Sequence, residues 1–196
     1  MSLDSINKEF YNAYADSFDK IPFEEVLTKL ILRYVSEPNS QILEIGSGAG
    51  ALAFWMTNLG HNVTCIEPAE KPAEIARKKG LNVRVTKFQD FHAGQKFNCI
   101  LAISSLIHIP RLEIPLQIKK MSESLEKEGF AFVSFIEGEG EGYEDPTAKG
   151  KMRYFSKFSE AELKKILSFH FSIVETHKID VKKMNQSFLL FVLKSK

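Results

Sequence analysis

The sequence predicts a single α/β domain, a Rossmann-like doubly wound sheet with helices on both faces, and three observations carry that expectation. Short apolar runs alternate with helical segments from residue 41 onward. Several of these runs are apolar at nearly every position, as strands are when both faces of the sheet are covered. The first of them, "QILEI", feeds "GSGAG", where Gly46, Gly48 and Gly50 mark the passage from strand to helix.

From Ile6 to Phe18 the aromatics Phe10, Tyr11, Tyr14 and Phe18 recur at three- and four-residue spacing, the pattern of one helix face. A second helix is expected with Pro22 in its first turn, turning Val26, Leu27, Leu30, Ile31 and Tyr34 inward as far as Val35. "SEPNS" ends it. Residues 1–38 therefore read as a helical cap on an α/β core of 39–196, within one domain of 196 residues.

Strand "QILEI" and the glycine loop lead to a helix ending near Gly60. Strand "NVTCIE" leads to a helix from Glu70 to Lys79, stopped by Gly80, and strands "NVRVT" and "FNCILAI" follow. The next helix is expected over Leu112–Lys127, with Pro115 near its start and Gly129 as its C-terminal cap. Strand "FAFVSFI" comes next. "SEAELKKILSF" carries a capping box, Ser159 at the N-cap and Glu162 three residues on. The last two strand-like runs, "FSIVETHKI" and "SFLLFVLK", are separated by only "DVKKMNQ", too short for a helical crossover, so they should pair antiparallel.

Composition narrows the function classes. Hydrophobic residues make up 44% and charged residues 26%, and the net charge of +1 gives no electrostatic argument for nucleic acid or an anionic membrane. Cys65 and Cys99 lie in strand-like runs and are expected buried and reduced. No leader pattern and no apolar run of about 20 residues is present, so a cytoplasmic protein without a membrane span is expected. No metal site is expected, and the sequence sets no oligomeric state.

The glycine loop leaves two cofactors open. Gly46, Gly48 and Ala51 fit the dinucleotide fingerprint, with backbone N–H groups at a helix start to hold a pyrophosphate, while Gly46, Gly48 and Gly50 equally fit the G-x-G-x-G loop of S-adenosylmethionine-dependent methyltransferases. Glu67, ending the second strand, could hold ribose hydroxyls in either. Three features separate them. Glu44, two residues before Gly46, puts a carboxylate beside the loop, which repels pyrophosphate and favours an ammonium or sulfonium. Asp90 and Phe91 follow the third strand, where they could read and cover an adenine. The terminal antiparallel pair is not required by a dinucleotide fold.

With "LEIGSGAG", "CIEP", "QDF", "FNCILAISSLIHIP" and "EKEGFAFVSF" in hand, the chain resembles class I S-adenosylmethionine-dependent methyltransferases of the small-molecule, quinone-biosynthesis-like type along nearly its whole length. The resemblance implies sheet order 3-2-1-4-5-7-6 with strand seven antiparallel. It also implies cofactor contacts from Gly46, Gly48, Gly50, Glu67, Asp90, Phe91 and Ser104, with Tyr11 and Tyr14 closing over the cofactor.

The acceptor should lie over strands four and five, where His108 is the candidate general base or orienting group. The polar stretch "EGEGEGYEDPTAKGKMRYF" reads as a flap over the acceptor, with Arg153 and Tyr154 fixing its polar groups. The expected partner is a small-molecule methyl acceptor. Where an Asn/Asp-Pro-Pro-Tyr-like tetrapeptide would point to nucleic-acid bases or glutamine, "SSLI" stands instead. A macromolecular acceptor, or a non-catalytic cofactor-binding module of the same fold, are the alternatives.

Overall fold

The computed structural model describes residues 3–145 and 150–196. Seven strands form the main sheet: β1 (Gln41–Ile45), β2 (Asn62–Ile66), β3 (Asn82–Arg84), β4 (Phe97–Ala102), β5 (Leu125–Glu137), β8 (Phe171–Val181) and β9 (Gln186–Ser195). Their spatial order is β3-β2-β1-β4-β5-β9-β8. Strands β3 through β5 are parallel, and β9 enters antiparallel between β5 and β8. The last strand of the chain thus fills the sixth place in the sheet, as the order 3-2-1-4-5-7-6 requires when the seven main strands are counted alone.

The period of two along each strand sorts side chains onto two covered faces. Leu43, Ile45, Ile100, Val133 and Phe191 pack under α5 (Ile114–Ser124) and α6 (Glu160–Ser168). Ile42, Cys65, Cys99, Leu101 and Phe132 pack under α2 (Glu24–Tyr34), α3 (Ala51–Asn58) and α4 (Glu70–Lys78). Both cysteines are buried free thiols whose ionisation is pushed up by burial. Among the described residues no helix is long and apolar enough to cross a membrane.

The N-terminal cap consists of α1 (Leu3–Ala13), a single tight turn at Ala15–Phe18, and α2, which begins at Glu24 after Phe23 takes a left-handed conformation. Helix α6 starts on the expected capping box: Ser159 Oγ accepts from the Glu162 N–H, and the Glu162 carboxylate accepts from the Ser159 N–H.

Two expectations are corrected. The helix expected to reach Lys127 stops at Ser124, because Leu125 already pairs with Phe97 in the sheet. Gly129 is therefore no helix cap. It sits in a bulge of β5, where a Cβ would stand 2.9 Å from the Asn98 carbonyl oxygen, too close to be accommodated. The stretch read as a flexible flap is largely a hairpin of β6 (Glu141–Glu144) and β7 (Arg153–Phe158), with β7 also pairing with the end of β5. Strand β7 is almost wholly buried. The "PTAK" part of that stretch, with Lys149, lies outside the described residues.

Candidate functional site

A cavity of about 460 Å³ opens at the carboxyl ends of β1, β2 and β4, roofed by α1 and flanked by the loops after those strands. This is the crevice in which open α/β sheets bind ligands. Its walls are mainly apolar, and its charged lining residues are Lys8, Lys20, Glu44, Glu67, Lys87 and Arg153; two parts of the wall carry most of its hydrogen bonds.

At the first place the glycine loop turns from β1 into α3. Gly46 has φ +69°, and a Cβ there would lie 2.5 Å from Ser105 Cβ. Gly50, the N-cap of α3, has φ +80°, and its Cβ would lie 2.5 Å from Leu81 Cδ1. Left-handed backbone and close protein neighbours already require glycine at these two positions. At Gly48, also left-handed with φ +54°, a Cβ would meet only the Phe18 carbonyl oxygen, at 4.0 Å.

The loop spends its amides inward. Gly46 and Ser47 donate to the Ile66 carbonyl, Gly50 donates to Ser47, and Gly48 donates to Glu67 Oε2 at 2.8 Å. The expectation of unpaired loop N–H groups is thus not met at these four positions. Glu67 is 5% exposed, and its other oxygen accepts from the Ala69 N–H at 2.8 Å. Each oxygen keeps a lone pair, so a diol could still bind both. Burial raises the Glu67 pKa, against the two backbone N–H bonds and nearby Lys8.

Glu44 lies behind the loop on the same cavity, 6% exposed, with Oε2 lacking any hydrogen-bond partner. Burial pushes its carboxyl up to about 8, with the Ala53 N–H opposing and Glu67 adding to the rise. It therefore holds a proton at pH 7. The negative charge inferred from sequence appears only when a cation comes close enough to lower that pKa. Ser105 Oγ is a second buried atom here without a partner. Ser104 lines the cavity at φ +53°, held by its N–H bond to Ser134 Oγ at 2.8 Å.

Asp90 and Phe91 are not brought to the cavity. Asp90 is exposed, and Phe91 is buried in the core beneath the Arg84 guanidinium. Thr86 to Gln89 line the wall in their place. A polar and an aromatic residue still meet the cavity after β3, but the pair is Gln89, one position before Asp90, and Phe88, three before Phe91.

At the second place α1, the turn Leu106–His108 and β7 meet. His108 Nδ1–H donates to the Tyr154 carbonyl at 2.7 Å, which leaves Nε2 to accept from the Tyr11 hydroxyl at 2.7 Å. Burial lowers the His108 pKa to about 4, against the Tyr154 carbonyl and with Arg153 adding to the fall. The imidazole is neutral, and both nitrogens are engaged. Arg153 is 3% exposed, with Nη1 donating to the Tyr11 hydroxyl at 3.4 Å.

Tyr154 acts through its backbone. Its N–H donates to Asn7 and its carbonyl holds His108, while its hydroxyl bonds Glu141 in the hairpin, away from the cavity. Burial raises that phenol to about 12. Tyr14 packs on Phe10 and does not reach the cavity wall, whereas Tyr11 does. Sequence reasoning missed Asn7 and Lys8. Asn7 lies one helical turn before Tyr11, so a signal was available in the i, i+4 spacing.

Residues 18–168 match a family described as a methyltransferase domain. An uncharacterized methyltransferase of Staphylococcus carnosus is 30% identical over 137 residues, covering 69% of this chain and 63% of that protein. A ubiquinone biosynthesis O-methyltransferase of Actinobacillus pleuropneumoniae is 32% identical over 129 residues, covering 57% and 54%. The chain thus spans only about half to three-fifths of the length of these curated relatives. In fold it is similar to the 1,6-didemethyltoxoflavin-N1-methyltransferase of Burkholderia thailandensis, solved with bound 1,6-didemethyltoxoflavin and S-adenosylhomocysteine. The TM-score is 0.76 at 17% identity, over 98% of this chain and 88% of that one.

Proposed function

The chain belongs to the methyltransferase-domain family, and from that premise we propose that it methylates a small organic acceptor using S-adenosylmethionine. One observation carries the choice of cofactor. The glycine loop donates its amides inward at four positions, while two carboxyl groups, Glu44 and Glu67, face the cavity. A pyrophosphate needs free N–H groups at the loop and no carboxyl group beside it; Glu67 would suit the ribose of either cofactor, so the inward amides and Glu44 carry the choice. A cofactor with a diol, an ammonium and a sulfonium fits the arrangement as it stands.

When bound, S-adenosylmethionine supplies a sulfonium-activated methyl group open to in-line displacement. The chain's own residues bind and orient. Glu67 offers its remaining lone pairs to a ribose diol while its backbone bonds fix the loop. Glu44, with its orphaned oxygen, is the group to receive an ammonium, giving up its proton as it does so. Phe88 and Gln89 take the adenine side, and Ser104 stands near the methionine end. We place His108 as an orienting group for Tyr11, because its low pKa and two engaged nitrogens make it a poor proton acceptor. A roof formed by α1 favours an acceptor small enough to lie inside the cavity.

The test is calorimetric titration with S-adenosylmethionine, S-adenosylhomocysteine and NADH. Micromolar binding of the first two without NADH is expected; binding of NADH alone overturns the reading. Labelled-methyl screening of the cofactor-binding protein then separates an enzyme from a binding module.

A further inference from the structure

We propose that the acceptor end of the cavity recognises an oxyanion, a carboxylate or an ionised hydroxyl on a flat apolar body, and that Arg153 selects it. The inference rests on the reading of this cavity as a cofactor-and-acceptor site.

Arg153 contributes to the cavity wall and is 3% exposed. Its Nε and Nη2 have no hydrogen-bond partner among the described residues, and the Nη1 bond to the Tyr11 hydroxyl is long at 3.4 Å. A guanidinium kept only to brace the fold would spend these donors on carbonyls or a carboxylate. Here the nearest acids of the hairpin are engaged elsewhere: Glu141 accepts from the Arg111 N–H, and Glu144 pairs with Lys157. The ring of Phe10 lies 4.1 Å from the guanidinium carbon and that of Phe155 4.9 Å, contacts that position the cation without neutralising it.

A buried charge left without a partner is costly, and removing its burden takes an anion. The planar fork of arginine suits an oxyanion that can take two N–H bonds at once. Shielding from bulk water strengthens that match, because competition from solvent is weak at this end. The apolar wall beside it, with Ile107 and Phe155, calls for a flat hydrophobic body carrying the charge.

The experiment titrates the full chain at pH 8 with two isosteric pairs, benzoate against benzamide and 4-nitrophenolate against 4-nitroaniline, with and without S-adenosylhomocysteine. The first pair reports a carboxylate and the second an ionised hydroxyl. In at least one pair the anion is expected to bind about tenfold or more tightly than its neutral partner, and Arg153→Gln should reduce that preference to about threefold or less. Arg153→Lys, which keeps the charge, should keep part of it. S-Adenosylhomocysteine affinity in Arg153→Gln should stay within about threefold of wild type. No anion preference in the wild-type chain, including no binding in either pair, overturns the proposal without need of any variant. So does a preference that survives Arg153→Gln. Weakened S-adenosylhomocysteine binding without a change in probe selectivity would assign the guanidinium to the cofactor's own carboxylate instead. Titration without S-adenosylhomocysteine keeps the charge test alive if the cofactor reading itself fails.

Discussion

The two ends of the cavity are built by opposite means. At the glycine loop the polar contacts are short in sequence: Gly48 reaches Glu67 across 19 residues and Glu67 reaches Ala69 across two. At the other end Tyr11 meets His108 across 97 residues, Arg153 meets Tyr11 across 142, and Tyr154 meets Asn7 across 147. One end carries two acids and answers most of its own donors. The other carries a buried guanidinium with two donors unanswered among the described residues. A cofactor shared across a family can be served by one compact strand–loop–helix unit. An acceptor pocket assembled from three distant segments can vary each of them separately.

Variants can break this comparison if the ends are coupled, and the largest effect is expected at Glu67. Glu67→Ala removes the acceptor for both the Gly48 and Ala69 amides and the proposed diol site. We expect S-adenosylhomocysteine affinity to fall about 100-fold and stability by about 1–3 kcal/mol. Calorimetry and denaturant unfolding read the two separately. An unchanged affinity in a folded variant removes Glu67 from cofactor binding.

Gly46→Ala comes next. Its Cβ would stand 2.5 Å from Ser105 Cβ at φ +69°, which should destabilise the chain by about 2–3 kcal/mol. Ser105→Gly in the same chain removes the clash but not the backbone strain, so partial recovery of the unfolding midpoint is expected. Full recovery would mean that the left-handed backbone costs nothing there.

A smaller effect is expected from Tyr11→Phe, which removes the hydroxyl that joins His108 to Arg153. Stability should fall by about 1 kcal/mol, with S-adenosylhomocysteine affinity held within about threefold. A large loss of cofactor affinity would mean that the two ends do not work independently and that Tyr11 closes over the cofactor, as the resemblance to known methyltransferases implies.

The same division explains what was legible in the sequence. Short, nearly continuous apolar runs such as "QILEI" and "FNCILAI" and the short final connection encode the sheet, because run composition and loop length are local facts. Glu44, Gly46, Gly48 and Glu67 could be placed at the cavity from sequence because they lie on one such unit. Asp90 and Phe91 misled because the loop after β3 has no periodicity to fix which of its residues turns inward, and Phe88 and Gln89 took the wall. The hairpin of β6 and β7 was read as a polar flap because Glu and Gly alternate on its exposed strand. The pairing that buries Arg153 depends on contacts far away in sequence. Of Tyr154, only the backbone serves the cavity, and no side-chain pattern announces that.

The finest probe of the comparison is the protonation of Glu44. Its folded pKa, about 8, stands above its ordinary value of 4.5. The fold therefore binds this proton more tightly than the unfolded chain does. The associated stability is fully present below pH 4.5 and is lost as pH rises through about 8. Over that window the wild-type chain should lose stability relative to Glu44→Gln, by at most about 1.4 kcal/mol per pH unit. Glu67 also has a raised pKa, but it is present in both proteins, so the difference isolates Glu44. Unfolding at pH 6 and pH 7 in both proteins measures it, and parallel curves would show that Glu44 is ionised in the fold. If Glu44 does receive the cofactor's ammonium, S-adenosylmethionine binding at pH 7 must release a proton. Calorimetry in buffers of different ionisation enthalpy would detect that release, and Glu44→Gln would abolish it. Arg153→Gln, at the other end, would leave it unchanged.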